Sequence, residues 1–336
     1  MARHCHIQRN GLFEALAPSL VSFSLHRICL LVEPILLPFC LLFVCLTAPL
    51  YAGQSFRVAT YNLNSYLDHA IGTRPAKTKQ AKEIIRESIH ALKAEVVALQ
   101  EVGGSSSLAE LRASLKAEGT DYPHFDLICA WDTNIQVALL SKFPIVARRP
   151  HTNDTFLLMG RRFSVARGFL EVDIQVAQGY QFTLMTTHLK SRRQIAEANE
   201  AEMRHEEALL LRQKIDQRFA ERPNLKLIVL GDFNDTKDTK PIRTIVGCYK
   251  NTLIDLRPAE RNGDNQPAPN PRWNPPWITW THFYGKEDTY SRIDYILLSQ
   301  SMARDWIEEK TYVLALPNWG VGSDHRPLVA TFAIRD

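Results

Sequence analysis

Residues Leu225–Asp235 read LKLIVLGDFND, and the fold turns on how this stretch is read. Leu225 and the run Leu227–Leu230 are apolar, then the chain breaks into a glycine and a polar cluster. A short apolar run bounded by turn residues is the pattern of a strand buried in a sheet that is covered on both faces. Gly231 lets the chain turn, and Asp232, Asn234 and Asp235 fall at the strand's carboxyl end, where layered α/β proteins gather their chemistry. Two carboxylates and an amide at such a place need a ligand, a metal or water to face. Taken alone, DFND is equally an Asx-rich turn. The rest of the chain decides between the two.

The same design recurs on either side. Ser55–Leu63 (SFRVATYNL) and Glu95–Gln100 (EVVALQ) read as strands delivering Asn62 and Glu101 at their ends. The spacing of Ile84, Ile85, Ile89 and Leu92 predicts a helix over 77–93, and a second helix is expected over 108–118, closed by Gly119. Strands follow without intervening helices at 125–130, 135–140, 145–148, 169–176 and 182–187. A long charged helix over 197–219 leads into the opening strand, and the proline- and asparagine-rich stretch 257–276 reads as a loop. Strands at 278–283, 292–298, 311–315 and 328–334 complete the chain. This mixture predicts an α/β (α+β) architecture of two packed sheets with helices outside.

Six strand ends carry polar residues of one kind: Asn62 in TYNL, Glu101 in LQE, His188 in TTHLKS, Asp232 and Asn234 in GDFND, Asp294 in SRIDYIL, and Asp324 with His325 in GSDHRPL. That set suits phosphate-ester hydrolysis. Carboxylate and amide oxygens hold a hard cation such as Mg²⁺. Histidines bind phosphoryl oxygens or move protons near neutrality, and an aspartate beside an asparagine can orient and deprotonate a water for in-line attack. Each element alone is weak; six in one chain are a strong signal.

In this order the motifs TYNL, LQE, THLKS, GDFND, RIDYIL and SDHRPL resemble the endonuclease/exonuclease/phosphatase superfamily, with its deoxyribonuclease-I-like fold. The resemblance runs from about Phe56 to Ile334. It implies a four-layered sandwich of two mixed β-sheets flanked by helices, with a metal-dependent site at one edge. Its members include nucleases, abasic-site endonucleases, inositol-phosphate phosphatases and bacterial sphingomyelinases. Carried over by position, it implies Glu101 as the main metal ligand with Asn62 and Asp324, and Mg²⁺ as the ion, with Mn²⁺ as a substitute. Asp232 looks like the water-activating residue, Asn234 its partner on the phosphate, and His325 a phosphate-binding or acid histidine held by Asp294. His188 resembles a second histidine of the nuclease-like branch, with Asp132 and Asn134 as the nearest candidates to orient it. Arg167 and Lys190 stand closest to matched motifs as substrate phosphate-binding residues, ahead of the arginine pairs at 148–149, 161–162 and 192–193. His205, in a helix of alternating charge, reads as part of a solvated face.

The chain has 336 residues, 45% hydrophobic and 23% charged, and a net charge of +4, which argues against a strongly basic nucleic-acid protein. Residues 1–52 are a different material. Arg3, Arg9 and Arg27 precede an apolar stretch, Ile28–Leu50, that ends in small residues around Ala48 and Ala52. That order predicts a signal peptide cut after Ala52 and an exported protein, with an uncleaved anchor or a buried helix as the alternatives. A single catalytic domain is expected over 53–336. Four of six cysteines lie in the leader; Cys129 and Cys248 allow one bridge and give no zinc site. Trp273, Trp277, Trp280, Phe283 and Tyr284 cluster around the long loop, where they would stack on a base, dip into lipid or cover a sheet edge. The expectation is a Mg²⁺-dependent phosphodiesterase acting as a monomer, with nucleic acid favoured over a lipid or other organic phosphodiester. A lipid substrate would add transient membrane contact. The rival is a binding module that kept the fold without the catalysis.

Overall fold

The computed structural model describes residues 54–260 and 278–335; the leader and residues 261–277, with Trp273 and Trp277, lie outside them. Two mixed sheets carry the structure. The first has seven strands in the order Ala259–Glu260, Trp306–Val313, Leu328–Ala333, Ser55–Tyr66, Val96–Val102, Gln136–Ser141 and His124–Ile128. The second has six: Ile254–Asp255, Asp294–Leu298, Leu227–Asp232, Tyr180–His188, Phe169–Ala177 and Ile145–His151. Most neighbours are antiparallel, but Ser55–Tyr66 runs parallel to Val96–Val102, Leu227–Asp232 to Tyr180–His188, and the short Ala259–Glu260 to Trp306–Val313.

Side-chain alternation sorts each strand between two cores. Ile228 and Leu230 face the other sheet with Val58, Ala98, Leu184, Ile296 and Leu298. Leu227 and Val229 face outward, against Leu211, Ile215 and Phe219 of the helix Glu200–Glu221 and Ile242 and Ile245 of the helix Lys240–Val246. The first sheet likewise turns Ala59, Tyr61, Val97 and Leu99 to Ile85 and Ile89 of Lys79–Leu92 and to Leu108 and Leu111 of Ser105–Ala117. The four layers follow directly. Burying each Leu or Ile fully contributes roughly 1.5–3 kcal/mol, so the inter-sheet core fixes how the two sheets are stacked.

The same alternation places the chemistry. A period of two carries Val58 to Asn62, Leu184 to His188, and Leu230 to Asp232, while Asp294 shares a face with Ile296. These polar residues therefore close one end of the inter-sheet seam. Just inside them Gln100 donates to Thr60 Oγ1 at 3.1 Å and Thr186 Oγ1 at 3.3 Å, bridging the sheets between apolar core and polar mouth. Gly231 has φ 133°, and a Cβ there would lie 2.1 Å from the Thr187 carbonyl oxygen, so the close approach of these two strands requires glycine.

Several expected boundaries move. Thr78 and Asn199 cap the first and long helices with side-chain oxygens, which starts them at Lys79 and Glu200 rather than at 77 and 197. The second helix begins at Ser105, earlier than 108. The strand expected at 278–283 is confined to His282–Tyr284, paired with Thr289–Ser291. The hairpin of Thr155–Leu158 with Arg161–Ser164 and the helix Lys240–Val246 are additions. Cys129 and Cys248 are both exposed free thiols.

Candidate active site

Asp232 is the hub. It is paired in register with His188 on one side and Asp294 on the other. Its Oδ2 accepts from Asn62 Nδ2 at 2.9 Å, and lies 3.4 Å from His188 Nε2 and 3.8 Å from His325 Nε2. Its Oδ1 accepts from the Asn234 backbone N–H at 2.8 Å. Asn234 adopts φ 54°, the left-handed turn that asparagine tolerates, and its Nδ2 donates to the Leu189 carbonyl at 2.9 Å. The DFND tetrad is thus an Asx turn, and that turn sets where Asp232 and Asn234 point.

His325 is held by Asp294, whose Oδ2 lies 2.8 Å from Nδ1. Thr281 Oγ1 donates to the same oxygen at 2.6 Å and accepts from the Ile293 and Asp294 N–H groups. Ser323 Oγ donates to the Asn62 carbonyl at 2.7 Å and accepts from His325 N–H, tying the last loop to the first strand. Glu101 sits at φ 63° where the Val96–Val102 strand is irregular. Its Oε2 accepts from Ser65 Oγ at 3.0 Å, and Oε1 lies 4.0 Å from His188 Nε2.

Charge is distributed unevenly here. Burial disfavours a charged His325, but Asp294 and then Asp232 outweigh it and hold the imidazole cationic well above its ordinary value. Burial pushes the Asp232 carboxyl up; the His325 charge opposes this and Asp294 reinforces it. His188 goes the other way: burial, then the charges of Arg167, His325 and Arg74, keep it neutral well below the ordinary histidine range. Its Nδ1 is buried without a hydrogen-bond partner. Asp132 and Asn134 do not orient it. Asp132 Oδ1 accepts from Asn134 N–H at 3.1 Å and Oδ2 lies 3.4 Å from Arg167 Nε, so that loop is closed on itself and on Arg167.

Among the described residues, two triads of histidine and carboxylate have ligand atoms within 4.8 Å of one another, Asp232–Asp294–His325 and His282–Asp324–His325; Glu101 is in neither. Burial lowers the Lys77 ammonium to about 8, with the charges of Asp324 and Glu101 both pulling it back up. Oxygen donors with no thiolate fit a hard divalent cation. Lys77, His282 and Thr281 were not singled out in the sequence, although Thr281 and His282 lie only 13 and 12 residues before Asp294.

The surrounding candidates divide. Arg167 is buried and Lys190 half-buried beside His188; Glu207 of the long helix accepts the Ala166 and Lys190 N–H groups at 3.1 and 2.6 Å and fixes both. Arg204 secures the same loop, donating to Asp235 Oδ2 and to the Lys190 carbonyl, each at 3.0 Å. Arg149 is a structural cation, bound to Glu171 and Asp173. His205 is half-buried against Thr244 Oγ1 at 3.2 Å, not on a solvated face. Trp280 packs on Tyr290, Trp319 and the Arg326 guanidinium, covering its neighbours as a structural cluster does.

Comparison with known proteins bears on the fold and the family. No curated protein matches the sequence. Among solved structures, the catalytic domain of human Nocturnin, with bound sulfate, is 18% identical, covering 84% of this chain and 95% of its own, with a TM-score of 0.58. Sphingomyelinase C of Streptomyces griseocarneus is 17% identical over 83% and 99% of the two chains, TM-score 0.55. Truncated TDP2 of Caenorhabditis elegans is 15% identical over 83% and 98%, TM-score 0.53. At these identities the likeness is one of fold. The sequence profile of the endonuclease/exonuclease/phosphatase family matches residues 59–325, nearly the whole described region. The chain belongs to that family, whose members are hydrolases of phosphoester bonds.

Proposed function

We propose that the protein is a divalent-metal-dependent phosphodiesterase with nucleic acid as its favoured substrate. One observation carries the reading: a single buried carboxylate, Asp232, is met by an amide and two imidazoles from other strand ends. In it, Asp232 takes the proton of the water that bonds to phosphorus, while the ester P–O bond opposite breaks and its oxygen leaves to take a proton from solvent. Asn234 and neutral His188 orient the water and a phosphoryl oxygen, and cationic His325 donates to the phosphoryl oxygen on which charge builds. Glu101 and Asp324, with Asn62 in support, would hold the ion, which when bound neutralises phosphoryl charge. Mg²⁺ is the first choice and Mn²⁺ its substitute. Export through the leader, cut near Ala52, belongs to the same proposal; N-terminal sequencing of protein from its native host that found residues before Leu41 would sink the cleavage.

The deciding assay compares plasmid DNA, RNA, sphingomyelin, inositol phosphates and an aryl phosphodiester, with Mg²⁺ and with chelator. DNA or RNA cleavage dependent on the ion is the expected result. Preference for sphingomyelin would transfer the reading to lipid phosphodiesters, in keeping with the sphingomyelinase C match. Binding of a substrate without turnover of any would leave a non-catalytic module.

A further inference from the structure

Beside the active site the chain forms a cleft of about 730 Å³ that the chemistry above does not use. It opens where the loop after His188 passes the 131–132 and 162–167 segments. Five cations line it, Arg74, Arg162, Arg167, Lys190 and Arg193, against two carboxylates, Asp132 and Glu197. An excess of one sign in a concave wall focuses potential and draws counter-charge. Two of the guanidinium nitrogens are buried donors without a hydrogen bond, Arg167 Nε and Arg74 Nη1, and Arg167 as a residue is only 7% exposed. Asp132 Oδ2 approaches Arg167 Nε at 3.4 Å but makes no hydrogen bond to it. Buried donors left open on a cationic wall are suited to an anion that accepts from several at once, and guanidinium forks match phosphate oxygens in that way.

The walls are rigid where this matters. Glu207 holds the backbone on both sides of the cleft, at Ala166 and at Lys190, and Arg204 holds the Lys190 and Ser191 carbonyls. The cleft is tied to the candidate active site through one backbone group: the Leu189 carbonyl receives both Asn234 Nδ2 and Arg167 Nη1. At its rim Trp131 is 73% exposed and Ile195 36%, a surface on which a base can stack without sequence preference. A quaternary ammonium headgroup finds the opposite of what it needs there.

We propose that this cleft binds a second phosphate of the substrate, next along a nucleotide chain from the phosphodiester cut at Asp232. The proposal rests on the phosphodiesterase reading and adds to it a preference for substrates with at least two phosphates.

The test uses thymidine dinucleotides: TpT, with one phosphate, and pTpT and TpTp, with a second at either end. Binding is measured by calorimetry with Mg²⁺ on the full chain carrying Asp232→Asn, so that turnover does not intrude. At least one doubly phosphorylated form should bind about tenfold or more tightly than TpT, since charge-assisted hydrogen bonds are the strong ones. Adding Lys190→Gln and Arg193→Gln should cut that ratio to about threefold or less, with the melting temperature unchanged. Lys116→Gln, on a helix of the other sheet, should leave it alone. Equal affinity for all three dinucleotides overturns the proposal, as does a ratio that survives in the double cleft variant or falls equally with Lys116→Gln. A separate assay of unmutated protein on bis(p-nitrophenyl) phosphate tests the underlying reading. Hydrolysis there without a dinucleotide preference sinks only the second-phosphate site, whereas no hydrolysis of any diester sinks the phosphodiesterase itself.

Discussion

His325 Nδ1 lies 2.8 Å from Asp294 Oδ2, and this contact decides which ring nitrogen is left to face Asp232. With Nδ1 occupied, Nε2 is the nitrogen that turns to Asp232, 3.8 Å away. Thr281 secures the arrangement by donating to the same carboxylate oxygen. Asp294 thus fixes both the orientation of the imidazole and its charge.

Asp294→Asn keeps the shape and removes the charge. Turnover should fall about a hundredfold or more, the lower range for a positioned proton-transfer group, with KM little changed. The sign of the pH effect follows from the structure. Asp294 raises the His325 pKa, so its loss lowers that pKa, and the basic limb of the activity profile should move to lower pH. Thr281→Val, which removes one support of the carboxylate, should cost less than Asp294→Asn. An unshifted basic limb in Asp294→Asn would show that His325 does not act as the charged form.

Glu101 occupies φ 63°, a region disfavoured for residues with a Cβ by about 1–2 kcal/mol. Strain of this kind gathers at functional sites, which motivates a test of the Glu101 carboxylate as an ion ligand. Glu101→Ala and Glu101→Gly should both lose ion-dependent activity and bind Mg²⁺ more weakly by calorimetry. Of the two, Glu101→Gly should be more stable by about 1 kcal/mol in urea unfolding, because glycine adopts this φ freely. Wild-type activity in chelator would refute the metal dependence outright.

The sheets and the site ends were legible in sequence because buried strands announce themselves by apolar runs and their tips by polar residues. Leu227–Leu230 before Asp232 is the plainest case. What could not be read was everything set by contacts across the fold. Thr281 and His282 carry no local signal, and their place is fixed by pairing with Ser291 and by the bridge to His325. Glu207 and Arg204 looked like ordinary charges on a helix, yet both are buried, holding the loop that follows His188. Asp132 was the nearest carboxylate to His188 by motif order, and only the folded chain shows it turned to Arg167.

A third prediction concerns acid stability. Glu171 is buried among Arg149, Arg218 at 2.6 Å and His151 at 2.8 Å. Burial alone would raise its pKa, but hydrogen bonds from His151, Arg218 and Arg149 lower it to about 2, from an ordinary 4.5. A depressed carboxylate stabilises the fold above its unfolded pKa and loses that contribution as pH falls through the folded one. The cluster should therefore contribute fully above about pH 4.5 and fade toward pH 2. Allowing for solvent screening of the guanidinium groups, the contribution is on the order of 2 kcal/mol. Glu171→Gln should be less stable than wild type by at least that at pH 6, and the gap should narrow at pH 3. A gap of equal size at both values would contradict the assignment.

The last prediction separates an enzyme from a binding module. If Asp232 takes the proton of the attacking water and His325 donates to the phosphoryl group, then Asp232→Asn and His325→Ala interrupt the same step. Each should lower kcat by about a hundredfold to ten-thousandfold, while dissociation constants for substrate change far less, since these groups matter most in the transition state. The two residues also share a charge balance: each influences the other's protonation across 3.8 Å. Their effects should consequently be strongly non-additive, the double variant losing much less than the product of the single losses. Independent multiplication of the two losses would mean that they act on different steps. Near-normal turnover in both single variants would strip Asp232 and His325 of catalytic roles and leave the hub at Asp232 as a structural knot between the two sheets.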